Sequence, residues 1–133
     1  MSAILTDTHA LLWYLLEPSK LSAPAHTAMH AADTSATIYI PSIVLVELRY
    51  LVEKGTITEA VFDFVAKSIS DPTTSLSTIP LDFESAQAVG FISRSIVPDM
   101  PDRIIAATAL YMGLPLVTRD HKIQAATVIT TIW

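Results

Sequence analysis

The chain has 133 residues, a formal net charge of −5 and no cysteine, with 51 % hydrophobic and only 16 % charged residues. This length fits one domain, 1–133, with a core of its own. The composition excludes disorder, disulfides, zinc–thiolate sites, thiol nucleophiles and nucleic-acid binding by bulk positive charge.

In chain order, Ala3–Thr6 reads as a short buried strand and Thr8–Leu16 as a helix apolar nearly all round, ended by Pro18. The apolar run Ala10–Leu16 stops at Glu17, short of the ~18–20 residues of a spanning helix. No Lys or Arg precedes it, and Asp7 and His9 interrupt it, so it is not read as a signal peptide and a cytoplasmic protein is expected. Leu21–Ala32 reads as a helix capped by Ser22, Ile38–Ile40 as a strand, and Pro41–Lys54 as a helix closed by Gly55. Thr58–Ser70 reads as a helix, Ser75–Pro80 as a strand and Asp82–Arg94 as a helix. Met100–Met112 reads as a helix between Pro101 and Gly113, followed by strands at Pro115–Thr118 and Val128–Thr131. Short apolar strands alternating with helices predict an α/β fold with a mainly parallel sheet between helix layers.

Ligand sites in such sheets form outside the carboxyl ends of the strands. Asp7 follows the first strand, Asp120 follows the strand ending at Thr118, and Glu47 lies early in the helix after Ile40. All three are expected at one sheet edge. Glu47 has Ile43, Val44, Tyr50 and Leu51 as its helical neighbours, none of them basic. A carboxylate on an apolar stripe is costly unless it reaches water, a distant partner such as Arg103, or a metal. Asp7 is suited to capping the helix that starts beside it, although Thr8 can cap equally well and leave Asp7 free. Asp99 is suited to N-cap the helix that contains Asp102, and Asp120 to cap a short helix near Lys122–Ala125.

Taken together, these acids converge with few bases to neutralise them, and each raises the others' pKa. A hard divalent cation resolves that conflict. A pair of such ions can also activate water and stabilise the leaving oxygen in phosphodiester cleavage.

The order of these motifs resembles the PIN domain family, specifically VapC-type toxins of toxin–antitoxin pairs. Asp7-Thr8-His9 after an apolar strand is similar to the family's opening, and so is Glu47 in an apolar helix after a Ser42-containing turn. Asp99-Met100-Pro101-Asp102-Arg103-Ile104-Ile105-Ala106-Ala107 resembles the most distinctive family motif, and Leu116-Val117-Thr118-Arg119-Asp120 the final acidic one. The resemblance implies a three-layer α/β/α sandwich with about five strands and a Mg²⁺- or Mn²⁺-dependent endoribonuclease. Asp7, Glu47, Asp102 and Asp120 take the places of the family's four catalytic acids. By that carry-over Asp7 and Asp102 are the principal metal ligands, while Glu47 and Asp120 hold metal, its waters or a second ion. Thr118, Thr8 and Asp99 are accessory. A related branch carries a His two residues before Asp99; Val97 stands there, so no such role transfers. The resemblance further implies a homodimer, an RNA substrate and an antitoxin whose tail lies in an apolar groove near the site. Trp13 and Tyr14 are residue types favoured at such an interface.

Three other readings compete. His9 and His121, also near strand ends, suit metal-free cleavage by a base–acid pair, which would leave a cyclic phosphate. A phosphatase of the haloacid dehalogenase type wants a second Asp two residues after Asp7, where His9 stands, and a receiver domain wants a paired-acid first strand end and a late Lys. A non-catalytic PIN-like binding module would keep its acid cluster idle and bear its repulsion.

Overall fold

A computed structural model describes residues 3–133. The elements run β1 (Ile4–Thr6), α1 (Thr8–Leu16), α2 (Ala23–Ser35), β2 (Ile38–Pro41), α3 (Ser42–Glu53) and α4 (Glu59–Ser70). They continue with β3 (Leu76–Ile79), α5 (Phe83–Ala88), α6 (Met100–Met112), β4 (Leu116–Val117), α7 (His121–Gln124) and β5 (Thr131–Ile132). The five strands form one sheet in the order β3-β2-β1-β4-β5, parallel throughout. Helix α2 packs across β1, β2, β4 and β5, while α1, α3, α5 and α6 pack on one another as the other helical layer. This is the expected α/β/α sandwich.

Strand β1 is central, with the apolar Ile4 and Leu5 on its two faces. Ile4, Leu5 and Thr6 are all buried, as suits a strand covered by helices above and below. It pairs with β2 at Ile4↔Ile38 and with β4 at Leu5↔Leu116. The chain builds outward from β1 to β3, returns, and builds the other way through β4 and β5. The strand order therefore reverses between β1 and β4, and a crevice opens there at the carboxyl ends.

Helix α6 contributes Asp102 and Ile105 to the lining of that crevice, next to its N-cap Asp99. Ile104 through Ala109 are all buried, and the small Ala106, Ala107 and Ala109 let neighbouring elements approach closely. Asp99 caps its start by accepting from the Asp102 N–H at 3.2 Å, Pro101 occupies its first turn, and Gly113 ends it at φ 66°. The first turn of α6, with Asp102 on it, thus faces the crevice rather than the core.

Helix α2 runs Ala23–Ser35 rather than Leu21–Ala32 and β4 spans Leu116–Val117 rather than Pro115–Thr118; two further differences have a visible cause. The helix expected over Asp82–Arg94 stops at Ala88 and tightens into a 3-10 turn at Val89–Phe91. The Arg103 guanidinium donates to the carbonyls of Val89 and Ile92, so those carbonyls are satisfied without a further helical turn. The last strand lies at Thr131–Ile132 rather than Val128–Thr131, because its register follows Leu116↔Thr131 and Val117↔Ile132.

Candidate functional site

Asp7 lies at the junction of β1 and α1. Its Oδ1 accepts from the Ala10 N–H at 2.9 Å, which makes it the N-cap of α1. Its Oδ2 accepts from the Thr118 hydroxyl at 2.6 Å, across the gap between β1 and β4. Thr118 Oγ1 in turn accepts from the Asp120 N–H at 3.0 Å. The capping duty therefore falls to Asp7 and not to Thr8. The Thr8 hydroxyl instead donates to Glu47 Oε1 at 2.6 Å. Each Asp7 oxygen accepts one hydrogen bond within the chain, and a carboxylate oxygen has a second lone pair to offer.

Glu47 is half-buried on α3, and Thr8 is its hydrogen-bond partner. The alternative partner Arg103 is engaged with backbone carbonyls. Asp120 caps α7 through Oδ1, which accepts from Lys122 N and Ile123 N at 2.9 Å. One carboxylate oxygen each of Glu47, Asp99 and Asp102 lies within 4.8 Å of the others. Asp99, expected as accessory, therefore stands beside Glu47 and Asp102.

Asp7, Thr8, Glu47, Asp99, Asp102 and Asp120 line one cavity of about 620 Å³. Among the described residues the ion pairs are Lys20–Glu17 and Arg49–Glu59, and neither touches this cavity. Burial pushes the Asp7 and Glu47 carboxyls above the usual range despite their hydrogen bonds. Burial, followed by the charges of Asp99, Asp120, Glu47 and Asp7, pushes Asp102 up to about 7. Mutual repulsion is thus built in. The donors are all carboxylate oxygens with no sulfur, which suits a hard divalent cation of the Mg²⁺ or Mn²⁺ type. The residues present fit such an ion.

A pH dependence follows. A carboxyl harder to ionise in the folded state gives stability that is full below its unfolded pKa and lost as pH rises through its folded one. The metal-free protein is therefore expected to lose thermal stability between about pH 4 and the value of about 7 reached by Asp102. Asp71 and Asp82, lowered by hydrogen bonds from the Thr73 and Ser85 backbone, act in the opposite sense, but below that window. Millimolar Mg²⁺ is expected to abolish the loss. Calorimetric scans at both ends of the window, with and without Mg²⁺, check this; a midpoint indifferent to Mg²⁺ at neutral pH would contradict it.

The cavity also includes His9, Trp13, Arg119 and His121. Arg119 was not legible as a site residue from sequence, and the only signal was its place between Thr118 and Asp120.

The chain is similar to known proteins over nearly its whole length. The PIN domain family profile matches residues 4–128. Ribonuclease VapC22 of Mycobacterium tuberculosis is 30 % identical over 125 residues, covering 94 % of this chain and 92 % of that protein. The structure of VapBC2 from Rickettsia felis, bound to a DNA fragment from its promoter, matches at TM-score 0.73 and 19 % identity, over 97 % of this chain and 96 % of that one. DNA-bound VapBC from Salmonella typhimurium matches at TM-score 0.71 and 23 % identity, over 98 % of this chain and 97 % of that one.

Proposed function

The chain belongs to the PIN domain family, and from that premise we propose that it is a Mg²⁺- or Mn²⁺-dependent endoribonuclease, the toxin of a VapBC-type toxin–antitoxin pair. The observation that carries the reading is the convergence of Asp7, Glu47, Asp99, Asp102 and Asp120 at the β1/β4 reversal, with no ion pair among the described residues to quench them. The curated relative named a ribonuclease and the VapBC structures supply the activity and partner class that this site suits.

Asp7 and Asp102 would be the principal ligands, with Glu47, Asp99 and Asp120 holding metal, waters or a second ion. A bound divalent ion would supply Lewis-acid activation of water and charge stabilisation at the leaving oxygen of an RNA phosphodiester. The rest of the work falls to the chain. Thr118 donates to Asp7 Oδ2 and Thr8 to Glu47 Oε1, so each carboxylate keeps one orientation and presents its remaining lone pairs to the cavity. Neutralised acids can then admit a polyanion that the bare cleft would repel. The reading carries with it a homodimer, an antitoxin with a basic segment complementary to the acidic cleft, and a cytoplasmic setting. No helix among the described residues is long and apolar enough to cross a membrane.

The test is cleavage of a structured cellular RNA pool with Mg²⁺, with Mn²⁺ and with EDTA, followed by analysis of product ends. Metal-dependent cuts with 5′-phosphate and 3′-hydroxyl ends are expected. Cuts that survive EDTA and end in cyclic phosphate would replace the metal reading with one based on His9 and His121, which line the same cavity.

A further inference from the structure

Trp13 lies half-buried on α1 beside the acids. The Trp133 ring centroid lies 5.8 Å from its own at an angle of 58°, and the His9 ring lies 5.7 Å away at 44°. The Arg119 guanidinium carbon sits over the indole at 5.8 Å from its centroid. Arg119 is exposed and, among the described residues, makes no ion pair, although Asp120 is its neighbour in the chain and the cavity it lines is rich in acids. It is the one Lys or Arg on that lining, in a chain that has only 8 such residues. An indole face under a planar cation, held in place by a second indole, is an arrangement suited to a nucleic-acid strand. Aromatic faces stack unpaired bases whatever their identity, and a guanidinium binds phosphate through paired donors.

We propose that Trp13 and Arg119 form a nucleotide-gripping subsite beside the acid cluster, where the indole stacks an unpaired base and the guanidinium takes an adjacent backbone phosphate. The proposal rests on the nuclease reading above and narrows its substrate to single-stranded or looped-out RNA. A base inside a duplex has both faces covered by its neighbours and cannot lie on the indole. Among the described residues Arg119 has no carboxylate to leave, so it can move from ring to phosphate without breaking an ion pair. Trp133 keeps the Trp13 ring oriented while that happens.

The test has two arms. In an Asp102→Asn, Trp133→Phe background Trp13 is the chain's only tryptophan, since the sequence has 2. Its fluorescence is then titrated, with Mg²⁺ present, with single-stranded oligouridylate and with a blunt RNA duplex of equal length. Saturable quenching by the single strand, at least about tenfold tighter than by the duplex, is expected. In the second arm, with the acids intact, Arg119→Gln and Trp13→Leu are each expected to raise KM about tenfold or more with kcat within about twofold, and Trp13→Phe to recover part of the loss. Arg119 is exposed, so its variant tests the subsite even where Trp13→Leu fails to fold. Equal quenching by both strands, or an unchanged KM in Arg119→Gln, overturns the subsite while metal-dependent cleavage stands, and leaves this surface to a protein partner. Single-strand quenching by a protein that cuts no RNA with either metal overturns the nuclease reading and keeps the subsite.

Discussion

Asp102→Asn is expected to lower RNA cleavage by about 1000-fold or more while raising the unfolding temperature of the metal-free protein. The rate loss corresponds to about 4 kcal/mol of transition-state stabilisation, within reach of removing the side chain proposed above as a principal metal ligand. The gain in stability comes from the same residue. Burial and the surrounding carboxylates make a charged Asp102 unfavourable, pushing it up to about 7, and Asn removes that charge with little change of shape. Both effects fall on one side chain because the first turn of α6 is held by Asp99 and not by Asp102. The cap survives the substitution, since the bond it needs is donated by the backbone N–H of residue 102. Single-turnover cleavage and calorimetry on the same preparation check the pair of effects. Cleavage within about tenfold of the parent would remove Asp102 from the catalytic set, and a lowered unfolding temperature would mean that its carboxylate stabilises the fold.

Arg103→Ala is expected to produce a large loss of stability, about 2–3 kcal/mol, through one side chain. Arg103 Nε donates to the Ile92 carbonyl at 3.2 Å, and one terminal nitrogen donates to Val89 and Ile92 at 3.0 and 2.8 Å. Removing the guanidinium leaves those carbonyls at the end of α5 without their charged donor, a loss typical of hydrogen bonds to an ionised group. The same bonds tie the start of α6 to the segment before it, which contains Asp99. Cleavage should therefore fall as well, with a smaller factor than for Asp102→Asn. Arg103→Lys should recover only part of the stability, because an ammonium lacks the planar fork that spans two carbonyls. Urea unfolding of the three proteins decides the matter; an Arg103→Ala midpoint equal to the parent's would show that water replaces the guanidinium at no cost.

The parts of the fold that were legible in the sequence are those whose cause is local. Asp99, Pro101 and Gly113 bracket α6 by capping, fixed φ and a left-handed end, and the helix runs from Met100 to Met112 as their spacing predicts. Ser22 and Thr58 likewise cap α2 and α4. What sequence could not supply depends on contacts with distant residues. The register of β5 is set by β4 and not by the apolar run that precedes it. The end of α5 is set by an arginine 11 residues beyond Ile92. In the site, the acids could be placed at strand ends, but which of Asp7 and Thr8 capped α1 turned on Glu47, whose Oε1 takes the Thr8 hydroxyl. Asp99 read as a cap and is one, yet its carboxylate also stands beside Glu47 of α3, a proximity that no spacing within its own helix reveals.

The bond from Thr118 to Asp7 joins residues 111 positions apart, and it is made across the seam between the sheet's central strand and its fourth. A ribosome delivers the chain from one end, so β1 emerges early and waits for β4 before its second edge is covered. Until then the acid at the end of β1 lacks both the hydroxyl that orients it and the Asp120 carboxylate that completes the lining. The order of synthesis thereby sets the order of assembly: a chain that has not yet reached residue 118 carries Asp7, Glu47, Asp99 and Asp102 but lacks the hydroxyl that orients the first of them.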